Sequence, residues 1–389
     1  MRGKLRMFRT VLVAGISVPV LLLAAASPGL AADDGRGGRK PEPPSYVYGG
    51  AWPTSHVQGV TVDRRRGFVY WSFTQQLVKT DLGGKVLGTV VGLTGHLGDI
   101  DVDERDGRVY GSLEYKSAES FYIAVLDGRA IDRVGMDAER DGVMTAVHLD
   151  EVAEDFTADM DGNGVFDGDT ADTLDHRYGC SGIDGVSFGP AFGKRGGRQT
   201  LKVAYGVYSH TGRTDNDHQV ILEYEVGAWD RYARPLSQDA PHHSGPEHPD
   251  GKFFVRTGNT TYGVQNLQYD PYTRNWIMAV YKGRKEGFPN YSFFTVDGSV
   301  APVRGEIEGQ PAPETGSLLT LREAGLRDEA TGIRGWEFHG SYGFDALGDG
   351  RYYVAEGRAV EQDGVPAQEG EIRLHRWTGG TPGPFTPVG

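Results

Sequence analysis

The chain has 389 residues, a formal net charge of −13 at pH 7 and a single cysteine, Cys180. This acidic balance argues against nucleic acid or an anionic membrane as the main partner, because both are themselves negatively charged. One cysteine excludes an internal disulfide, so packing or a bound metal must stabilise the fold, and we expect Cys180 to be a buried, unreactive thiol.

The N-terminal segment has the pattern of a secretory signal. The basic run MRGKLRMFRT precedes the apolar run VLVAGISVPVLLLAAA, and small residues follow it. That order is typical of a signal peptide, and the apolar run is short for a membrane span. We therefore predict a signal peptide over residues 1–31, a flexible leader over residues 32–45, and a secreted, extracellular protein.

Five segments then repeat one pattern. The run HVQGVTVD at 56–63 returns as HLGDIDVD at 96–103, and related runs begin at Cys180, Tyr262 and His339. Alternating runs and Gly-rich turns follow each one, which indicates a four-stranded antiparallel sheet of roughly 40 residues. Such sheets bury their faces by stacking radially. We predict one all-β domain, a five-bladed β-propeller over residues 46–389 with a calcium-binding loop insertion.

Several details of this ring are open or expected. A β-sandwich is one alternative, and six or seven blades are another if a divergent blade occupies 137–175 or 300–335. The segment YVYGG (46–50) is expected to add an outer strand to the last blade and close the ring. Spacers interrupt the period at 136–179, 237–261 and 308–338. The last spacer contains SLLTLREAGL, which predicts a short helix from Ser317.

The polar residues at the start of each blade are the candidate site, because inner strands line the central channel of a propeller and bring these residues to its mouth. The candidate catalytic residues are His56, His96, Asp99, Asp184, His339 and Tyr342. The candidate substrate-binding residues are Glu114, Lys116, Arg213, Tyr262, Gln265 and Asn266, with Ser181 and Tyr281 as further polar residues nearby. The histidines have three open roles: a transition-metal site, acid–base chemistry, or hydrogen bonds that hold blades together.

The acidic run DMDGNGVFDGD at 159–169 is typical of a calcium loop, since it places hard oxygen ligands at alternate positions around a glycine turn. The predicted calcium ligands are Asp159, Asp161, Asn163, the carbonyl of Val165, Asp167 and Asp169. Thr170 stands where an EF-hand has its bidentate glutamate, so Asp169 or Asp172 would replace that ligand. We expect the bound ion to hold the first spacer beside the third blade.

The chain also carries a family resemblance. The runs HVQGVTVDRRRGFVYWS, YGCSGIDGVSFGP, TGNTTYGVQNLQYD and GIRGWEF resemble a family of secreted bacterial β-propeller proteins of uncharacterised role. The likeness covers most of residues 46–379 and implies no established activity. The architecture resembles the five-bladed glycosidase propellers, which carry carboxylates around the funnel, and the polysaccharide lyase propellers, which use histidine, tyrosine and an arginine that neutralises a uronate.

These patterns lead to a functional expectation: a monomeric carbohydrate-active enzyme that cleaves a polysaccharide or oligosaccharide in its central funnel. As a glycoside hydrolase it needs two carboxyl groups, and the candidates are Asp99, Asp184, Glu114 and Asp345. As a lyase it would use His56 or His96 as base, Tyr342 or Tyr262 as acid and Arg213 for the uronate. The alternatives are a non-catalytic glycan-binding propeller and a transition-metal enzyme of the three histidines. The sequence contains no P-loop, dinucleotide-binding glycine pattern or HExxH motif.

Overall fold

Each repeated segment forms the innermost strand of its own sheet. The computed structural model describes residues 42–389, so the predicted signal peptide and most of the predicted leader lie outside the described residues. Within them, Pro43–Gly389 form one compact unit. No helix in this described part is both long and apolar enough to cross a membrane.

The first half of the described chain contains ten strands and one α-helix. In chain order these are β1 (Tyr46–Trp52), β2 (Val57–Asp63), β3 (Phe68–Phe73), β4 (Gln76–Asp81), β5 (Val86–Val91), β6 (His96–Asp103), β7 (Arg108–Tyr115), β8 (Ser120–Asp127), β9 (Met136–Asp137), β10 (Met144–His148) and α1 (Asp150–Phe156). A 3₁₀ helix, Lys116–Ala118, follows β7, and a second, Arg177–Gly179, precedes the third inner strand.

The second half of the described chain is again composed almost entirely of strands. They are β11 (Cys180–Pro190), β12 (Gln199–Val207), β13 (His218–Tyr224), β14 (Gly251–Arg256), β15 (Thr260–Asp270), β16 (Asn275–Lys282), β17 (Phe293–Val296), β18 (Val303–Glu306), β19 (Thr315–Leu318), β20 (Leu326–Arg327), β21 (Arg334–Gly335), β22 (Phe344–Ala346), β23 (Arg351–Gln362), β24 (Val365–Trp377) and β25 (Phe385–Pro387). A 3₁₀ helix, Val226–Arg231, follows β13.

Apart from β20 and β21, which form a separate two-stranded sheet, these strands form five blades, which confirms the predicted five-bladed propeller. The strand orders are β2-β3-β4-β5-β9 in blade 1, β6-β7-β8-β10 in blade 2, β11-β12-β13-β14-β19-β18 in blade 3, β15-β16-β17 in blade 4 and β22-β23-β24-β1 in blade 5, where β25 also pairs with β24. The two ranges considered for a further blade add edge strands to blades 1, 2 and 3 instead. The ring therefore has five blades rather than six or seven, and it is not a sandwich.

The ring is closed by the N-terminal strand, as the sequence predicts. Strand β1 pairs antiparallel with β24, from Tyr46 opposite Arg373 to Trp52 opposite Gln368. The inner strands contact one another in the order β2, β6, β11, β15, β22 and back to β2. Blade 2 thus has blades 1 and 3 as neighbours, whereas blades 4 and 5 lie on the other side of the channel.

The predicted helix from Ser317 is wrong. The residues Thr315–Leu318 form β19, which pairs parallel with β14 and antiparallel with β18. A ten-residue segment is too short to form a stable helix unaided, and the open edge of β14 offers hydrogen-bond partners that a helix would leave unused. The amide of Leu319 takes one of them by donating to the carbonyl of Phe254.

Apolar side chains pack between neighbouring blades. Trp71, Trp276 and Trp336 are among the largest fully buried side chains, and α1 buries Val152 and Phe156 among residues of blades 2 and 3. Cys180 is fully buried in this same cluster, as predicted, and burial raises the pKa of its thiol. These contacts between blades hold the inner strands close to the channel axis.

Candidate functional site

Irregular register at the mouth of the channel gives the inner strands their functional geometry. In β6 the pairing shifts between Leu97 and Ile100, and in β11 between Ile183 and Val186. Strands β2 and β15 bulge at the matching places. A bulge adds a residue to one strand of a pair and re-aims the side chains beside it.

The bulges place paired residues at equivalent positions in four blades. The pairs are Gln58 and Gly59, Gly98 and Asp99, Asp184 and Gly185, and Gln265 and Asn266. Gln58, Asp184 and Gln265, the first members of their pairs, line a cavity at the mouth. Asp99 and Asn266, the second members, are buried and bond to each other inside the channel. Two residues that are adjacent in sequence therefore differ in location: the first member of a pair lines the cavity, and the second lies inside the channel.

This cavity, the central cavity, has a volume of about 330 Å³. It brings together seven of the predicted site residues: His56, His96, Glu114, Lys116, Asp184, Tyr262 and Gln265. Gln58, Ser181 and Tyr281 complete its lining. Gln58 is absent from the sequence-based candidates, although it stands five residues before Asp63, just as Gln265 stands five before Asp270. The register of the repeat was therefore the signal that could have identified it.

Two carboxyl groups and an imidazole form the polar centre of this cavity. The Nδ1 atom of His96 lies 3.3 Å from Oε2 of Glu114 and 3.8 Å from Oδ1 of Asp184. The other oxygen of Glu114 accepts the amide of Ile183 at 2.6 Å, and the other oxygen of Asp184 accepts Nε2 of Gln265 at 2.9 Å. The Nζ atom of Lys116 lies 3.8 Å from Oε2 of Glu114. Blades 2, 3 and 4 each contribute to this cluster.

The environment of the cluster displaces its protonation equilibria. Burial, followed by the charge of Glu114, raises the pKa of Asp184 to about 7, against the lowering effect of His96 and Lys116. Burial alone would lower the pKa of His96, but the hydrogen bond to Glu114 and the charge of Asp184 outweigh it and raise that pKa. This environment therefore shifts Asp184 toward its protonated form. Its Oδ1 atom is buried without a hydrogen-bond partner in the described residues.

Aromatic and imidazole rings form the facing wall of the cavity. The Nε2 atom of His56 lies 3.3 Å from Nε2 of Gln58 and 3.5 Å from the hydroxyl of Tyr281. Burial lowers the pKa of His56, so the neutral imidazole predominates at pH 7. Tyr262 stands in the bulge of β15 with φ +62°, and 56% of it is exposed. A positive φ is costly for a tyrosine and occurs most often where a site demands it.

The structure places three of the predicted residues, Asp99, Asn266 and Asp345, inside the channel and gives each of them hydrogen-bond partners. Oδ2 of Asp99 accepts the amides of Val186 and Leu267 at 3.0 Å each, and its Oδ1 accepts Nδ2 of Asn266 at 2.9 Å. Asp345 accepts the hydroxyl of Thr61 and is likewise buried. These groups tie neighbouring blades together and do not line the central cavity.

Arg213, His339 and Tyr342 also lie outside the lining of the central cavity. The guanidinium of Arg213 is buried and binds the carboxylate of Asp215 and the carbonyls of Asp175 and His176. Lys116 lines the central cavity and Arg213 does not. A uronate bound there would therefore face Lys116 rather than Arg213. The ring of Tyr342 packs between His56 and His339, at centroid distances of 5.4 and 4.7 Å.

The acidic loop brings together a set of carboxylates that differs from the predicted one. Oxygens of Asp159, Asp161 and Asp175 lie within 4.8 Å of one another. Asp175 was not among the predicted ligands because it lies six residues after the acidic run. The folded loop brings its carboxylate back beside Asp159 and Asp161. Asp167 accepts the hydroxyl of Thr173, and Asp169 accepts the hydroxyl of Tyr208. The amide side chain of Asn163 donates to Asp161, and Val165 is exposed.

Fold and site together define a five-bladed β-propeller with a cavity lined by carboxyl, imidazole and aromatic side chains at the mouth of its channel. The chain matches no protein-family model and no curated protein. It is similar to the Dos1 propeller, with 11% sequence identity and a TM-score of 0.30 over 82% of this chain and 78% of that chain. It is also similar to the Cps50 (Swd1) β-propeller domain of Myceliophteria thermophila, with 8% identity and a TM-score of 0.31 over 83% of this chain and 98% of that chain. A third similar structure is the hydrazine synthase of Kuenenia stuttgartiensis, with 12% identity and a TM-score of 0.30 over 78% of this chain and 74% of that chain. Similarity this low carries no argument about function, so the chemistry of the cavity has to supply one.

Proposed function

We propose that this protein is a secreted enzyme that hydrolyses glycosidic bonds, with its active site in the central cavity. One observation carries the proposal: the carboxyl groups of Asp184 and Glu114 share the central cavity, where the Nδ1 atom of His96 lies 3.8 Å from the first and 3.3 Å from the second, and burial raises the pKa of Asp184. A carboxyl group that keeps its proton near neutral pH can act as a general acid, and a neighbouring carboxylate supplies the complementary base. Secretion rests on the N-terminal sequence pattern.

In the proposed reaction, Asp184 donates its proton to the glycosidic oxygen while the bond between that oxygen and the anomeric carbon breaks. Glu114 accepts a proton from the water molecule that attacks the same carbon, so the products are two sugar chains with the elements of water added. His96 donates from Nδ1 to Glu114 and orients that carboxylate. Proton exchange with solvent then restores both groups.

The remaining lining suits a polyhydroxylated substrate. The amides of Gln58 and Gln265 supply donors and acceptors for hydroxyl groups. The rings of Tyr262 and Tyr281 meet edge to face at 6.4 Å and offer faces on which a sugar ring can pack. Planar amides and aromatic rings around an acid–base pair support a carbohydrate as the substrate.

A polysaccharide panel with a reducing-end assay tests the proposal. We expect Asp184→Asn and Glu114→Gln each to lower kcat/KM by about 10²–10⁴-fold while the protein stays folded, because each removes a proton transfer. Asp132→Asn is the matched control, since the side chain of Asp132 is 74% exposed and outside the cavity. Full activity of Asp184→Asn, or hydrolysis of no glycan in the panel, would contradict the proposal.

Elimination is a second candidate function, and the pairing of His56 with Tyr281 favours it. The neutral His56 would remove the C5 proton of a uronate, Tyr281 would protonate the departing oxygen, and Lys116 would face the uronate carboxylate. The product would carry a double bond that absorbs in the ultraviolet. We expect His56→Gln to abolish this absorbance if elimination is the reaction. Retention of a glycan without either product would identify a binding propeller.

We also propose that the acidic loop binds calcium. Three oxygen donors of Asp159, Asp161 and Asp175 within 4.8 Å of one another suit a hard divalent cation, whose charge would relieve their mutual repulsion. Arg213 binds the carbonyl of Asp175 and so links the loop to blade 3. The proposed role of the ion is to stabilise this spacer, and no step of the proposed chemistry passes through it.

A further inference from the structure

Two more cavities adjoin the central cavity, one on each side. The outer cavity, of about 530 Å³, lies at blade 2 and is formed by Thr94, Ser117 and Gln238 together with His96, Glu114 and Lys116, which it shares with the central cavity. The far cavity, of about 400 Å³, lies at blades 4 and 5 and shares Tyr281 with the central cavity. The lining of the far cavity includes Lys282, Glu337 and His339.

The order of the blades arranges these cavities across the mouth. Blade 2 lies on the other side of the channel from blades 4 and 5, and the central cavity stands between them. Each volume is in the range that holds a small ligand, so the three together exceed the needs of a single sugar. The polar centre of Asp184, His96 and Glu114 falls in the middle of the row.

Resting on the proposed function, we propose that the substrate is a linear polysaccharide that lies across all three cavities and is cleaved within the chain rather than at its end. The acid–base pair in the middle cavity leaves sugar-binding space on both sides of the bond that breaks. The strained, exposed Tyr262 is a platform for one of the central sugar units. A long chain can contact the cavities on both sides of the bond that breaks, whereas a disaccharide is too short to contact both side cavities. The longer chain therefore gains binding energy that the disaccharide lacks.

Length dependence is the test of this groove. The probes are xylo-, arabino- and galacturono-oligosaccharides of two to six units, and the readouts are kcat/KM and the size of the first products. We expect kcat/KM to rise at least tenfold from the disaccharide to the hexasaccharide, with internal products appearing first. Equal values for all lengths, or release of terminal units only, would overturn the proposal.

Filling each side cavity tests the two halves of the groove separately. We expect Ser117→Trp in the outer cavity and His339→Trp in the far cavity each to weaken the length dependence. In each variant kcat/KM should rise threefold or less from the disaccharide to the hexasaccharide, instead of at least tenfold. Ser299→Trp and His248→Trp are matched controls at exposed positions outside the three cavities, and they should keep the gain of the unmodified protein. An unchanged gain in both cavity-filling variants would overturn the groove.

A binding measurement separates failure of the groove from failure of the catalytic proposal. Native electrophoresis through gels that contain xylan, arabinan or polygalacturonate reports retention without turnover. Retention that both cavity-filling variants weaken supports the groove even if no bond is cleaved. Absence of retention on every polymer, together with absence of turnover, would overturn both proposals.

Discussion

At the scale of single residues, burial decides what each polar group of the repeat can do. Asp99 and Asp184 lie at the bulges of neighbouring inner strands, and both are carboxyl groups with raised pKa values. Asp99 accepts four hydrogen bonds inside the channel, whereas Asp184 has an oxygen atom beside the central cavity that finds no hydrogen-bond partner within residues 42–389. Of these two carboxyl groups, Asp184 is therefore the one that lines the central cavity, where the proposed reaction needs an acid.

The pH profile of the reaction is a first prediction at this scale. Because Asp184 must be protonated to act as the acid, kcat/KM should fall above about pH 7, by tenfold per pH unit at high pH. The same raised pKa means that the folded state holds this proton more tightly than the unfolded chain. Its contribution to stability is therefore full below about pH 4 and is lost as the pH rises through about 7. Constant kcat/KM from neutral to alkaline pH would exclude Asp184 as the acid.

A second prediction concerns Gly182, which leaves room for Glu114. A Cβ atom at Gly182 would collide with Oε1 of Glu114, and the φ of +114° at this position is unfavourable for any other residue. We expect Gly182→Ala to lower the free energy of unfolding by about 1–3 kcal/mol through strain and to reduce kcat/KM by at least tenfold. Thermal unfolding and kinetics would measure both.

Gly196→Ala is the control for this substitution. A Cβ atom at Gly196 would meet no other atom within 4 Å, and the residue lies on an exposed turn, so the change should affect neither stability nor activity appreciably. If Gly182→Ala has as little effect on stability and kcat/KM as Gly196→Ala, the position of the Glu114 carboxylate does not depend on the close approach of β11.

At the scale of elements, the spacers carry features that the blades cannot supply. The first spacer adds β9 to blade 1, β10 to blade 2 and the acidic loop beside blade 3. The loop is attached to its surroundings through Asp169, which accepts from Tyr208, and through Arg213. An ion in this loop would therefore stabilise the junction between a spacer and a blade.

Calcium addition is the prediction at this scale. A ligand that binds only the folded state adds about 2.7 kcal/mol at a hundredfold excess over Kd, so calcium should raise the Tm by several degrees and a chelator should reverse the change. Asp161→Asn should remove most of the increase, whereas Asp239→Asn, at a position outside the loop, should keep it. A Tm that responds to neither calcium nor chelator would refute the site.

At the scale of the whole molecule, the ring depends on a strand from the start of the described chain. Strand β1 completes blade 5 and buries Val47. Its Gly49 lies so close to blade 1 that a Cβ atom would meet the ring of Trp71 at 2.8 Å. The same strand therefore completes one blade and packs against the next, which joins the two ends of the ring.

Removal of β1 tests this closure. A chain that begins at residue 53 loses the pairing with β24 and the burial of Val47, which alone is worth about 1.5–3 kcal/mol. We expect its Tm to fall by at least about 5 °C and its unfolding to become less cooperative. A chain that begins at residue 43 retains β1 and is the control. Equal Tm values for the two chains would show that the ring does not rely on this strand.

The sequence by itself determined the architecture. Strand and turn signals are local, so five copies of the pattern sufficed to predict five blades. The runs YVYGG at 46–50 and DMDGNGVFDGD at 159–169 separately predicted the closing strand and the acidic loop. Seven of the twelve predicted catalytic or substrate-binding residues line the central cavity. His56 and His96 are among them because residues at the start of an inner strand stand at the mouth of the channel.

Only the tertiary structure decided which neighbours of those residues share the cavity. A bulge shifts the register by one residue and sends adjacent side chains to different surroundings, so Asp184 and Gln265 line the cavity while Asp99 and Asn266 lie in the channel. Arg213 is held by carbonyl groups of a distant spacer, and Asp175 joins the acidic loop only after the chain turns back. Burial, pKa and these contacts depend on atoms far apart in sequence, and local patterns carry no record of them.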